Sequence, residues 1–181
     1  MTAARLAATA FAAGLLACAA PAVADPVLEI AVKAAYLYKF APFVRWPPGT
    51  EARAPFAICV IGKDPFDGVL DRAVAGQRVG ARPIVVRRMA AATAAAPCQI
   101  AYLGGSRAQP VSEALRLLHG APVLTVTDGP PPGIVDFAAI DGRIRFRVDD
   151  QAAADSGLAV SSKLLRLAVS VNPRKSPGPG G

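Results

Sequence analysis

Phe56-Ala57-Ile58-Cys59-Val60-Ile61-Gly62-Lys63-Asp64-Pro65-Phe66 is the stretch that decides the fold. Its first six residues are apolar without a break. In an extended chain Phe56, Ile58 and Val60 point to one face, and Ala57, Cys59 and Ile61 to the other. A strand apolar on both faces needs cover on both, which places it in the middle of a helix-covered sheet. Gly62 turns the chain. Asp64 suits a helix cap, and Pro65 suits the first helical position, where its missing N–H had no partner to lose. The spacing predicts strand, tight turn, and a helix from Phe66 to Val74.

Upstream, Val27 to Trp46 reads as a helix with Val32, Tyr36, Phe40 and Phe43 or Val44 as its apolar stripe. Glu29, Lys33, Lys39 and Arg45 fall on its other faces. Pro42 removes a hydrogen bond and clashes with the preceding turn, so the helix kinks or ends there and Phe43–Trp46 is extended. Downstream, Pro83–Arg87 is a strand, Ala90–Ala96 offers one or two helical turns, and Cys98–Leu103 is a strand. Val111–Leu118 is a helix with His119 in its last turn, where the dipole favours it. Pro122–Thr127 and Ile134–Ile140 are extended. Asp141-Gly142 is a hairpin signal, and Arg143–Val148 is its partner strand. A short helix follows Asp149 or Asp150. A last helix, Lys163 to Val171, is capped by Ser161 or Ser162. Alternating strands and helices closed by an antiparallel hairpin predict one α/β domain, residues 25–171, with a mixed β-sheet flanked by helices.

The two ends of the chain read differently. Arg5, the apolar run Leu6–Ala20 and Ala22-Val23-Ala24 have the pattern of a signal peptide, residues 1–24, cut after Ala24. The alternative is lipidation at Cys18, within Leu15-Leu16-Ala17-Cys18. Residues 172–181, rich in proline and glycine, have nothing to bury and predict a disordered tail. Removing the leader takes one positive charge, Arg5, from a formal net charge of +7. An exported chain without a basic cluster interleaved with aromatics is a poor nucleic-acid binder. Its basic balance suits an acidic protein surface or an anionic ligand.

Of three cysteines, Cys18 lies in the leader, leaving Cys59 and Cys98 in an oxidising compartment. Adjacent strands could bring them within bonding distance; the other possibility is two separate buried thiols. With His119 the only histidine and no close cysteine pair, a metal site is not indicated. Nor is a cofactor. The chain shows no nucleophile elbow, no paired carboxylates and no base for a nucleophile, so an enzyme is not expected. Gly104-Gly105-Ser106-Arg107, between a strand and a helix, is a weak anion-loop candidate. Arg143, Arg145 and Arg147 on one strand face are the best binding candidates. Side by side they repel unless acidic neighbours or a ligand compensate, and their planar forks suit phosphate or carboxylate.

Several blocks then line up with a known family. Val32-Lys33-Ala34-Ala35-Tyr36-Leu37-Tyr38-Lys39-Phe40, Phe43-Val44-Arg45-Trp46-Pro47 and Cys59-Val60-Ile61-Gly62-Lys63-Asp64-Pro65-Phe66 resemble the YfiR, or DUF4154, family. So do Gly80-Ala81-Arg82-Pro83-Ile84, Pro122–Asp128, Arg143-Ile144-Arg145-Phe146 and Gly157–Ala168, in order along the chain. The resemblance implies a periplasmic, non-enzymatic repressor. Such a protein binds the periplasmic sensor domain of an inner-membrane diguanylate cyclase and holds down cyclic-di-GMP synthesis. It also implies homodimers, sequestration by an outer-membrane lipoprotein, and a disulfide between Cys59 and Cys98. Gln99 departs from the family, which often has histidine there. A second reading remains, a periplasmic small-molecule protein that takes an anionic ligand on the arginine strand.

Overall fold

A computed structural model describes residues 26–50, 55–95 and 97–175. The proposed leader, its cleavage point and Cys18 lie outside the described residues. Phe56–Gly62 forms strand β2, with both faces buried as its sequence requires. The other elements are helices α1 (Pro26–Phe40), α2 (Val69–Val74), α3 (Val111–Leu118), α4 (Asp150–Asp155) and α5 (Ser162–Leu167). The strands are β1 (Val44–Arg45), β3 (Arg78–Val79), β4 (Arg82–Met89), β5 (Ile100–Gly105), β6 (Leu124–Thr127), β7 (Val135–Ile140), β8 (Arg143–Asp149), β9 (Ala159–Val160) and β10 (Ser170–Asn172).

Eight strands make one mixed sheet in the order β10-β8-β7-β6-β5-β2-β4-β3, and β1 pairs with β9 in a separate two-stranded ribbon. Strands β4, β2, β5, β6 and β7 run parallel, whereas β8 and β3 are antiparallel to their neighbours β7 and β4. The parallel order 4-2-5-6-7 is that of a doubly wound sheet, with its topological switch between β2 and β5. Helix α1 and α2 cover one face over a large core that includes Leu37, Phe40, Ile58, Val60, Phe66, Leu70, Tyr102 and Phe137. The opposite face of β2 and β5 carries a smaller core of Cys59, Ile61, Ala101 and Leu103 under Ala114 and Leu118 of α3.

The expected break at Pro42 is present: Ala41–Phe43 is a single 3₁₀ turn and the chain then extends into β1. Four local expectations need correction. Asp64 does not cap a helix; its Oδ1 accepts the Phe66 N–H, and α2 begins only at Val69 after Asp67 and Gly68 take positive φ. Ala90–Ala95 is not helical. The last helix stops at Leu167 because the chain returns to the sheet, where β10 pairs in parallel with β8. The expected tail therefore starts too early: Asn172 closes β10, and the Arg174 guanidinium donates to Asp150 Oδ1 at 3.0 Å. Residues 176–181 of that tail lie outside the described residues. At the hairpin the expectation holds, with positive φ at both Asp141 and Gly142.

Candidate interaction surface

In doubly wound sheets the switch-point crevice is where ligands sit. Here backbone fills it. Lys63 N–H donates to Gly105 O at 2.8 Å. A Cβ on Gly104 would lie 1.9 Å from Lys63 O, and one on Gly62 would lie 2.4 Å from Gly105 O. The glycines of Gly104-Gly105-Ser106-Arg107 serve this close approach of two chain turns, a packing reason for them that requires no anion. Beside the crevice, burial raises the pKa of the Tyr102 phenol, and the nearby Asp128 and Asp64 carboxylates push the same way.

Cys59 and Cys98 form a disulfide with Cα atoms 5.8 Å apart, buried in the smaller core. Gln99 fixes the approach to it. Its side-chain Oε1 accepts the Ala57 N–H at 2.7 Å, and its own N–H donates to Ala57 O. Extended backbone just before β5 is thus tied to the entry of β2, which brings Cys98 alongside Cys59.

The arginine strand divides into unlike parts. Arg143, Arg145 and Arg147 project from β8 on the face away from α1, opposite Ile140, Ala138 and Asp136 of β7. Arg147 is committed to structure: its Nη1 donates to Asp136 Oδ2 at 3.0 Å. Asp136 is buried, and its Oδ1 also accepts from Thr127 Oγ1 and Gly129 N–H, so the carboxylate locks the end of β6 to β7. Arg143 and Arg145 are exposed and make no ion pair among the described residues. Arg143 lines a 230 Å³ groove floored by Leu28, Val32, Ala139 and Ile144, where the hairpin meets the start of α1. Val27, Leu28 and Ile140 stand exposed around it.

One charged residue of this region was hidden by its own type. Lys33 belongs to the buried stripe of α1, together with Ala34, Leu37 and Phe40, and not to the solvent faces. Its ammonium reaches Glu29 Oε1 and Asp128 Oδ2, each at 2.5 Å. Burial alone would lower its pKa, but hydrogen bonds to Asp128 and Glu29 outweigh burial and hold it above the usual lysine value. The signal available in sequence was Glu29 four residues before Lys33, the favoured order for a helical ion pair. The bond to Asp128 ties α1 to the end of β6. His119 is exposed at the end of α3, and among the described residues no group of three or more His, Cys, Asp or Glu could hold a metal ion.

A search of curated proteins returned no match. A family model described as YfiR/HmsC-like, the DUF4154 family, matches residues 30–169, which span α1 through α5. The chain therefore belongs to the YfiR/HmsC-like family of periplasmic, non-enzymatic regulators in cyclic-di-GMP signalling.

Proposed function

We propose that this chain works by protein–protein contact. It binds the periplasmic sensor domain of an inner-membrane diguanylate cyclase and lowers cyclic-di-GMP synthesis. The observation that best supports this reading is the hairpin β7–β8. It presents Arg143 and Arg145, without acidic partners among the described residues, on the same face as exposed Ile140, and the groove at its tip is lined by exposed Leu28 of α1. Exposed apolar side chains rimmed by cations suit an acidic protein surface. Repression then follows if binding favours one state of the sensor by differential affinity. A homodimer, and an outer-membrane lipoprotein that competes for the same surface, belong to the same proposal.

The anionic-ligand alternative draws on the same strand, but Arg147 is already paired with Asp136, so at most two of its three forks remain for a ligand. The discriminating experiment measures cyclic-di-GMP in cells lacking the chain. Deletion should raise it and the wild type should restore it. The Arg143→Glu/Arg145→Glu variant should fail to restore it while keeping its melting temperature. An unchanged cyclic-di-GMP level on deletion would overturn the reading.

A further inference from the structure

Strand β4 carries a sheet edge that the chain leaves open. It spans Arg82–Met89 and pairs with β2 from Ile84 to Met89 on one side. On its other side β3 covers only Arg82 and Pro83. The Ile84 N–H donates outward, to Gln77 O at 3.1 Å. Backbone groups alternate in direction along a strand, so Val86 and Arg88 also turn their N–H and C=O outward. These groups have no hydrogen-bond partner among the described residues. Native chains blunt such an edge with proline, a bulge, a very short strand or free charge. Here Pro83 sits under β3, the register against β2 runs unbroken from Ile84 to Met89, and Arg88 is neutralised by Asp64 and Asp71. The opposite edge of the sheet differs. Strand β10 has three residues, and Arg174 and Lys175 just beyond it are tied to Asp150 and Gln151 of α4.

The side chains along this edge select what can join it. On the face shared with Cys59, β4 presents Val85, Arg87 and Met89. Arg87 is exposed and makes no ion pair among the described residues. On the face shared with Val60, half-buried Val86 precedes the Arg88 cluster, which already holds two carboxylates. We infer that the outer edge of β4 accepts an added strand: an extended segment of another protein, with an acidic side chain beside Arg87 and an apolar one beside Val86. The backbone of Val86 and Arg88 supplies the hydrogen bonds, and Arg87 supplies the selectivity. A second copy of the chain fits less well. Pairing two β4 edges antiparallel about Val86, Arg87 or Arg88 sets one Arg87 opposite or diagonal to the other, with no carboxylate on that face of either strand. The edge lies across the sheet from the β7–β8 hairpin, so this inference and the contact proposed there fail separately.

The probe is the capped peptide TEVEVET, an alternating acidic strand, with TKVKVKT as its basic control. Added to the chain, TEVEVET should bind with Kd on the order of 1 mM or tighter and slow amide exchange at Val86 and Arg88. The basic peptide should bind about tenfold more weakly. Arg87→Glu, a change at an exposed position, should reverse that order. Val86→Pro deletes an N–H that makes no bond within the sheet, so the pairing with β2 survives while binding falls about tenfold. Tm checks that the proline variant is folded, and Arg87→Glu carries the test if it is not. No saturable binding, equal affinity for the two peptides, or slowed exchange at β10 in place of Val86 and Arg88 would overturn the inference. So would exchange at these amides that slows with rising concentration of the chain alone, because a second copy would then hold the edge.

Discussion

The two halves of the sheet solve opposite problems. In β4-β2-β5 the strands run parallel, and β2 and β5 are covered on both faces. A disulfide staples the smaller core, and glycine-to-backbone contact seals the switch point. In β7-β8-β10 the α1 side is packed with Phe137 and Phe146 against Tyr36 and Phe40. On the other side Arg143, Arg145, Ser170 and Asn172 face solvent. The sealed half is where related folds place ligands, and here two backbone turns meet at that point. The open half is tied by the Arg147–Asp136 and Arg174–Asp150 ion pairs and leaves Arg143 and Arg145 without an ion pair among the described residues. Under the proposed contact function, the rigid half would give the exposed half something to be positioned against.

The largest expected effect comes from unstapling the sealed half. In the chain-entropy model a link across 39 residues stabilises the fold by about 4 kcal/mol. Cys59→Ala should therefore lower Tm by about 10 °C. Reductant should do the same to the wild type and nothing further to the variant. Equal melting of the wild type with and without reductant would mean that the sealed half owes its rigidity to packing and glycine contact alone.

A smaller effect tests how α1 is fastened to the end of β6 beside the open half. Lys33→Met removes a buried cation from Glu29 and Asp128, whose side chains remain 32 % and 37 % exposed. Water can take over those carboxylates, so the loss should be about 1–2 kcal/mol, below that for a fully buried pair. The pH dependence has a definite sign. Lys33 has its pKa raised above 10.5, so its contribution is complete below that value and is lost as pH climbs through the higher folded value. The stability gap between wild type and variant should stay level from pH 7 to about 10.5 and close only above it. A gap that closed already near neutrality would show that burial, not the carboxylates, governs this lysine.

How legible each half was follows from what each is made of. The unbroken apolar run Phe56–Ile61 left one physical solution, a strand covered on both faces, and Asp141-Gly142 left one turn, so both could be placed from residue type alone. The order Ile30-Lys33-Leu37-Phe40 could not, because a lysine in a buried stripe looks like a solvent residue until the Asp128 that neutralises it is brought 95 positions along the chain to meet it. The same holds for Arg147, indistinguishable in sequence from Arg143 and Arg145 yet paired with Asp136 by strand register. Asp64-Pro65 misled for a local reason. Its capping chemistry is satisfied at Phe66 in a turn, and positive φ at Asp67 and Gly68 delays the helix. Val171 and Asn172 carried no strand signal of their own; β10 forms because β8 offers it an edge.

The smallest effect lies on the rim of the sealed half and concerns acid. Arg88 holds Asp71 through both guanidinium Nη atoms, at 3.0 and 2.5 Å, and Asp64 through Nε at 2.7 Å. The hydrogen bond from Arg88 keeps the Asp71 carboxyl below its ordinary 3.8, overcoming the small upward push of burial. A depressed carboxylate stabilises the fold above its unfolded value and loses that contribution as pH falls through the folded one. Both side chains are nearly half exposed, so the pair contributes little, and Arg88→Gln should shift Tm at neutral pH by only about 1–2 °C. Its diagnostic is the acid limb: between pH 4 and pH 2 the variant should lose less stability than the wild type. If the two acid limbs ran parallel, the α2–β4 clasp would be ornament on a half already rigid, and the contrast between the halves would rest on the disulfide and the glycine contacts.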